Sequence, residues 1–154
     1  MKKRTMKAWF LILFILGLII GFLIPWDVRD TVKKNNFQSG VINVATKFGQ
    51  LDTNQGNLSF SVVANSDDLS VLLARLNGIE PLHTHPIQNH IIYIYRGKVK
   101  AYIGGTPYDL TQGNLVFIPA NTPHSLEKIG DMPAEAIVIA QPPTNEQDTV
   151  YIRK

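Results

Sequence analysis

Short apolar runs separated by turn-forming residues fill this chain from residue 58 onward. The runs are rich in Val, Ile, Leu, Tyr and Phe, and they cover residues 58–64, 71–76, 90–96, 99–103, 115–118, 136–140 and 150–152. Turn signals such as Gly104-Gly105 lie between them, and no stretch of ten or more residues beyond position 57 has a helical period. The pattern predicts one antiparallel all-β domain over residues 58–154, built as a sandwich or small barrel.

An uncharged stretch at residues 8–26 predicts where the domain is located. It follows a basic segment, residues 1–7, that contains three Lys and one Arg. A helix of that length rises about 28 Å, close to the ~30 Å hydrocarbon core of a bilayer. Because no small-residue cleavage site follows, we expect an uncleaved, single-pass signal-anchor in the cell membrane, with the basic segment in the cytoplasm and the β domain outside it. Residues 27–57 are then a linker with one early strand, predicted at 41–45.

Charge and cysteine content exclude several classes of function. The formal net charge is +3, but four of the fifteen cationic side chains lie in the first seven residues, so the remainder is near neutral. No basic face for a nucleic acid is expected, since such a face needs Lys and Arg gathered together. Cysteine is absent, which excludes disulfides, thiolate nucleophiles and thiolate metal ligands.

All four histidines of the chain fall at spacings that suit one metal site. His83 and His85 are two residues apart, so on a strand they project from the same face. His90 opens the next apolar run, and His124 follows a corner at 119–123 that contains two prolines. Imidazole nitrogen favours a divalent transition metal (Fe, Mn, Co, Ni, Cu or Zn) over Ca or Mg. The alternative is that each histidine is a separate hydrogen-bonding residue of the core or surface.

These residues resemble both sequence motifs of the cupin superfamily of small β-barrels. The first motif is matched over 78–97, around His83-Thr84-His85, and the second over 113–124, ending in His124. The resemblance covers about residues 58–143. It implies a single jelly-roll barrel, also called a double-stranded β-helix, preceded in this chain by the N-terminal transmembrane helix.

The chain departs from the family motif at a position that usually holds a metal ligand. His90 stands where cupins usually have a glutamate ligand, so the resemblance implies a site of four histidines: His83, His85, His90 and His124. Asn121 stands where the family favours glycine. This second change is mild, because Asn tolerates the left-handed backbone conformation.

The direction of His90 predicts which side chains of its strand line the barrel. Residues 90, 92 and 94 share one face, so Ile92 and Ile94 are expected to be cavity walls. Tyr93 and Tyr95 share the opposite face and are expected to pack outside the barrel or at a dimer contact. On the run 115–118, Leu115 and Phe117 share one face, and Val116 and Ile118 share the other.

Two classes of function are compatible with these residues. The family resemblance implies a metal-dependent enzyme, such as a dioxygenase of a small organic substrate, and the alternative is a non-catalytic barrel that binds a metal or a small ligand. No catalytic residue is assigned. Without a glutamate ligand a general base would come from Glu80, Glu127, Tyr93 or Tyr95, although Glu80 is expected to face solvent. Cupins often pair through edge strands, so a homodimer that uses the region 40–64 is a further expectation.

Overall fold

The computed structural model describes residues 39–51 and 56–153. Within these ranges one short helix, ten strands and a 3₁₀ turn at Glu146–Asp148 follow one another. Their bounds are α1 Val44–Gly49, β1 Leu58–Asn65, β2 Ser70–Leu76, β3 Ile79–Thr84, β4 Asn89–Arg96, β5 Lys98–Ile103, β6 Thr106–Thr111, β7 Leu115–Ile118, β8 His124–Lys128, β9 Ala134–Gln141 and β10 Val150–Tyr151. The predicted basic segment 1–7 and signal-anchor 8–26 lie outside the described residues. Among the residues that are described, no helix has the length and hydropathy to cross a membrane.

The ten strands form two antiparallel five-stranded sheets. One sheet has the order β1-β2-β9-β4-β7 and the other β10-β3-β8-β5-β6. A single apolar cluster joins them, since it contains side chains from both sheets: Leu76, Ile92, Ile94, Val99, Val116, Ile118 and Ala134. The prediction of an all-β domain is confirmed. The sequence pattern missed β6, whose side chains are almost all exposed and therefore leave no apolar period.

The predicted faces of β4 are confirmed. Ile92 and Ile94 are 6% and 3% exposed, and both line the interior. Tyr93 points outward and is 38% exposed. Tyr95 also lies outside the barrel, where its ring stacks on Phe48 with the ring centroids 5.3 Å apart. Strict alternation of side chains therefore holds along this part of the strand.

The strand predicted at 41–45 is wrong, because a helix begins there instead. The side chain of Asn43 accepts a hydrogen bond from the backbone N–H of Thr46 at 3.0 Å, which is a helix N-cap. The resulting helix α1 buries Phe48 completely against the outer face of the first sheet. A local cap and one tertiary contact thus override the β-branched composition of the segment.

A buried ion pair fixes α1 to the sheet. The guanidinium of Arg75 on β2 donates to Oε1 of Glu135 on β9 at 2.9 and 3.1 Å, and it also donates to the backbone carbonyls of Phe48 and Leu51. The second oxygen of Glu135 accepts from Arg96 at 2.7 Å. Because two guanidinium groups meet this one carboxylate, its buried charge is compensated.

The C-terminal segment, residues 142–153, folds back over the end of the barrel where β3 finishes. Strand β10 within it pairs with β3, placing Tyr151 opposite His83. The N–H of Thr144 donates to Ser70 Oγ at 2.9 Å, and the N–H of Ile152 donates to a carbonyl of β3. This segment therefore forms one wall of the interior.

Candidate metal centre

The space between the two sheets is a cavity of about 350 Å³. Most of its walls are apolar, and they include Leu58, Leu72, Ile92, Val116, Leu126 and Val138. Its polar lining includes the four histidines together with Glu80, Gln88, Asn145, Thr149 and Tyr151. The cavity thus combines apolar walls with a set of metal-ligating side chains, which is the composition of a small-molecule site.

Three histidines converge within this cavity. Ring nitrogens of His83, His85 and His124 all lie within 4.8 Å of one another, and the three side chains are buried. The sheet register explains the first contact, since His83 on β3 lies directly opposite His124 on β8. His85 follows two residues after His83, and the two rings meet edge to face with centroids 4.9 Å apart. The predicted convergence of these three imidazoles is confirmed.

Hydrogen bonds to the backbone fix the orientation of two of these rings. His83 donates Nδ1–H to the carbonyl of Pro81 at 2.7 Å, and His124 donates Nδ1–H to the carbonyl of Thr122 at 2.9 Å. In the neutral ring Nε2 then has a free lone pair, which is how metal-binding histidines are usually held. The buried Nδ1 of His85 has no hydrogen-bond partner in the described part of the chain. The donor set therefore fits a divalent transition metal.

Burial favours the neutral form of two of these imidazoles, His85 and His124, which is the form that binds a metal. Burial lowers the pKa of His124 to about 4, while the hydrogen bond to the Thr122 carbonyl opposes that shift. Burial and, secondarily, the charge of His83 lower the pKa of His85. Both rings are therefore unprotonated near neutral pH.

The fourth predicted ligand, His90, lies beside the group rather than in it. Its ring centroid is 4.2 Å from that of His85. Its nitrogens, however, are not among the ring nitrogens of His83, His85 and His124 that lie within 4.8 Å of one another. Its Nε2 is 3.2 Å from Oε1 of Gln88, whose own amide nitrogen donates to the carbonyl of Pro143. Burial, followed by the neighbouring histidines, lowers the pKa of His90 to about 3. The role of His90 as a ligand stays a prediction.

Glu80 faces the cavity, and the expectation that it faces solvent is wrong. A β-bulge is the reason: Glu80 pairs with Leu126 and His83 with His124, so β3 uses three steps where β8 uses two. Counting by twos from His83 places Glu80 outside, and the extra residue turns it inward. Its Oε1 lies 3.5 Å from Nε2 of His83. Burial raises the pKa of Glu80, and His83 opposes the shift.

The other candidate bases lie away from the three converging histidines. Glu127 is exposed, Tyr93 points outward, and Tyr95 packs on α1. Tyr151, which the sequence pattern did not single out, does line the cavity, with its ring centroid 5.8 Å from that of His83. No local pattern marked this residue, because it reaches the site through the pairing of β10 with β3.

Asp148 supports the turn that joins His85 to His90, and the sequence pattern missed it too. Its side chain is 6% exposed and accepts hydrogen bonds from the backbone N–H groups of Ile87 and Gln88, at 3.1 and 3.0 Å. A carboxylate from the C-terminal segment thus holds the loop between two site histidines. Residue spacing gives no signal for this contact, because its two sides are about 60 residues apart in the chain.

Comparison with known proteins agrees with this architecture. Residues 75–140 match the family model of the cupin domain. An uncharacterized protein of Methanocaldococcus jannaschii is 31% identical over 68 residues, which are 44% of this chain and 54% of that protein. The chain therefore spans about half the length of the curated relative it matches.

Solved structures with a similar fold cover most of the described domain. KdgF from a Halomonas species has a TM-score of 0.59 at 20% identity, over 71% of this chain and 98% of that one. The protein TT1209 from Thermus thermophilus has a TM-score of 0.61 at 21% identity, over 69% and 100%. The nucleoside dehydratase Pac13 of Streptomyces has a TM-score of 0.58 at 16% identity, over 75% and 92%. With the two facing sheets, these matches show that the described domain has the cupin fold, and residues 75–140 are the part that matches the cupin domain model.

Proposed function

We propose that this protein binds a divalent transition metal through His83, His85 and His124 and is a metal-dependent enzyme that acts on a small organic substrate. One observation carries the proposal. Three buried imidazoles converge in a cavity of about 350 Å³ whose other walls are mainly apolar; two of them donate Nδ1–H to backbone carbonyls, and Nδ1 of the third has no partner among the described residues.

A bound ion would supply a Lewis acid that polarises a substrate oxygen. The protein contributes position and environment. The carbonyls of Pro81 and Thr122 hold two imidazoles in the tautomer that leaves Nε2 free. The apolar walls lower the polarity of the same space, which strengthens electrostatic interactions inside it.

The lining of the cavity favours a substrate with a polar head and an apolar body. The head would lie near the histidines, where Gln88, Asn145, Thr149 and Tyr151 add hydrogen-bonding groups. The body would lie against the aliphatic side chains of both sheets. Enediols, diketones and phenols have this chemistry, and the family resemblance favours an oxygenase among the reactions they undergo.

Turnover distinguishes this enzyme from a non-catalytic binding barrel. The full chain, depleted of metal and reconstituted with each candidate ion, is tested for dioxygen uptake with a panel of enediols, diketones and phenols. Uptake that is lost in the His83→Ala/His85→Ala variant supports the oxygenase. Saturable ligand binding without consumption of dioxygen or substrate, for every ion, would identify a binding barrel instead.

We also propose that the protein is anchored in the cell membrane through residues 8–26, with the cupin domain outside the cytoplasm, and that it forms a homodimer. The anchor proposal rests on the uncharged stretch and its basic flank. Membrane association that survives alkaline washing, and is lost on deletion of residues 1–26, would support it. Sedimentation of the purified chain tests the dimer, and a monomer at all concentrations would contradict it.

A further inference from the structure

Glu80 is a carboxylate that the cupin motifs do not place at the metal, yet this fold brings it there. Its side chain is 17% exposed, lines the cavity and approaches Nε2 of His83 to 3.5 Å. We propose that Glu80, rather than His90, supplies the fourth protein ligand of the metal. This inference rests on the proposed three-histidine site and specifies its ligand set.

The contact between Glu80 and His83 has the geometry of two ligands of one ion. His83 donates its Nδ1–H to the carbonyl of Pro81, so in the neutral ring Nε2 carries a lone pair. That lone pair and a carboxylate oxygen are both acceptors, so they attract each other only when a proton or a metal cation lies between them. Two ligand atoms that are each about 2.1 Å from a tetrahedral ion lie about 3.4 Å apart. The observed separation is 3.5 Å.

His90 is held in a different way. The amide nitrogen of Gln88 donates to the carbonyl of Pro143 at 2.9 Å, which turns Oε1 of Gln88 towards Nε2 of His90 at 3.2 Å. The imidazole must therefore place its proton on Nε2 to donate to this oxygen. His90 thus uses Nε2 for a hydrogen bond to Gln88, whereas the corresponding nitrogen of His83 faces the carboxylate of Glu80.

Charge compensation also favours Glu80. Three neutral imidazoles leave the full charge of a divalent ion in a largely apolar cavity, and one carboxylate halves it. A buried carboxylate is costly without a cation or donors, and the bulge at 80–83 places one there. The chain thus has His90 where the family motif has a glutamate, and it has a carboxylate from β3 that lines the same cavity.

The test is metal binding by the full chain and three single variants. The protein is depleted with chelator and titrated with Zn²⁺ by calorimetry, and with Co²⁺ by its visible absorption. Glu80→Gln removes the charge and keeps the shape, His90→Ala removes the rival ligand, and Glu127→Gln removes an exposed carboxylate from the neighbouring strand β8 as a matched control. Thermal unfolding of each metal-free variant accompanies the titrations.

We expect Glu80→Gln to weaken Zn²⁺ binding at least about tenfold and to alter the Co²⁺ spectrum. His90→Ala should weaken binding less than this, and Glu127→Gln should leave it unchanged. The metal-free Glu80→Gln protein should be as stable as the parent or more so, because the substitution removes an uncompensated buried carboxylate. That last result separates a ligand from a structural partner of His83.

Several outcomes would overturn the inference. Parental affinity in Glu80→Gln would remove Glu80 from the ligand set, as would a larger loss in His90→Ala. A destabilised metal-free Glu80→Gln protein with unchanged Zn²⁺ affinity would show a structural ion pair. If His83→Ala/His85→Ala binds Zn²⁺ as the parent does, or if the parent binds no metal, the three-histidine site itself fails.

Discussion

β3 and β4 are consecutive strands that both contribute histidines to the cavity, but only β4 follows simple alternation up to its last residues. From Asn89 to Ile94 the register of β4 with β9 is uninterrupted, and its inward residues are those expected from the position of His90. β3 contains an extra residue between Glu80 and His83. The difference teaches that alternation from one residue of known direction predicts the direction of the others only as far as the next bulge.

The bulge in β3 has a signal in the sequence. Pro81 lies within it and has no N–H to donate to a ladder, which is why proline in sheets is confined to edges, strand starts and bulges. The proline carbonyl is then free to orient His83. Pro81 therefore explains both the inward turn of Glu80 and the tautomer of His83.

The largest effect is expected on β4, from the loss of an inward side chain. Ile94 is 3% exposed, so Ile94→Ala should lower the free energy of unfolding by about 2–5 kcal/mol. Tyr93→Ala, at the adjacent outward position, should cost about 1 kcal/mol or less. Urea unfolding of the two variants measures the difference. Equal losses would show that β4 does not alternate as described.

A smaller effect on the free energy of unfolding is expected from metal binding, and it should require His83 on β3. An ion present at one hundred times its dissociation constant should raise the free energy of unfolding by ~2.7 kcal/mol. His83→Ala should abolish this gain, because the variant loses a ligand from the centre of the group. Thermal unfolding with and without Zn²⁺ checks it. An undiminished gain in the variant would mean that the ion binds elsewhere.

The stability of the metal-free protein should fall with acidity. Burial depresses the pKa values of His90 and His124 to about 3 and 4, below the usual 6.5, so below pH 6.5 the unfolded chain binds more protons than the folded one. Stability is then lost as the pH falls from about 6.5 towards 4. The raised pKa of Glu80 acts in the opposite direction and offsets part of the loss.

Chelator-treated protein, unfolded in urea at a series of pH values, measures this dependence. His90→Gln should flatten the curve between pH 6.5 and 4, because it removes the imidazole whose pKa falls to about 3. A parental curve that is already flat over this range would contradict the burial of neutral imidazoles.

The smallest effect is expected on the outer face of the sheet that contains β4. Phe117 on β7 pairs with Ile91 of β4 and is 64% exposed. Phe117→Ser should change the free energy of unfolding by no more than about 0.5 kcal/mol. A loss above about 1 kcal/mol that depends on protein concentration would show that a second copy covers this face.

The sequence was informative where local pattern and tertiary fold agree. Alternation predicts the inward direction of Ile92 and Ile94, and the spacing of the motifs predicts the convergence of His83 with His124. Asn121 has φ 62°, the left-handed conformation expected for the residue that replaces a family glycine. Each of these features depends on residues that are neighbours in the chain or in a regular ladder.

Other parts of the site depend on contacts that no local pattern records. Asp148 and Tyr151 reach the cavity only because the C-terminal segment folds back onto β3. The helix α1 replaces a predicted strand because Asn43 caps it and Phe48 is buried by the sheet. Such contacts join elements that are distant in sequence, so their energies are absent from any window of neighbouring residues.

The central claim is that His83, His85 and His124 hold a metal ion. Elemental analysis of the full chain, purified without chelator or nickel affinity, tests it most directly beside the His83→Ala/His85→Ala variant. We predict about one Fe, Mn, Co, Ni, Cu or Zn per parental chain and almost none in the variant. Equal metal content in the two proteins, or none in the parent even after reconstitution, would contradict the claim.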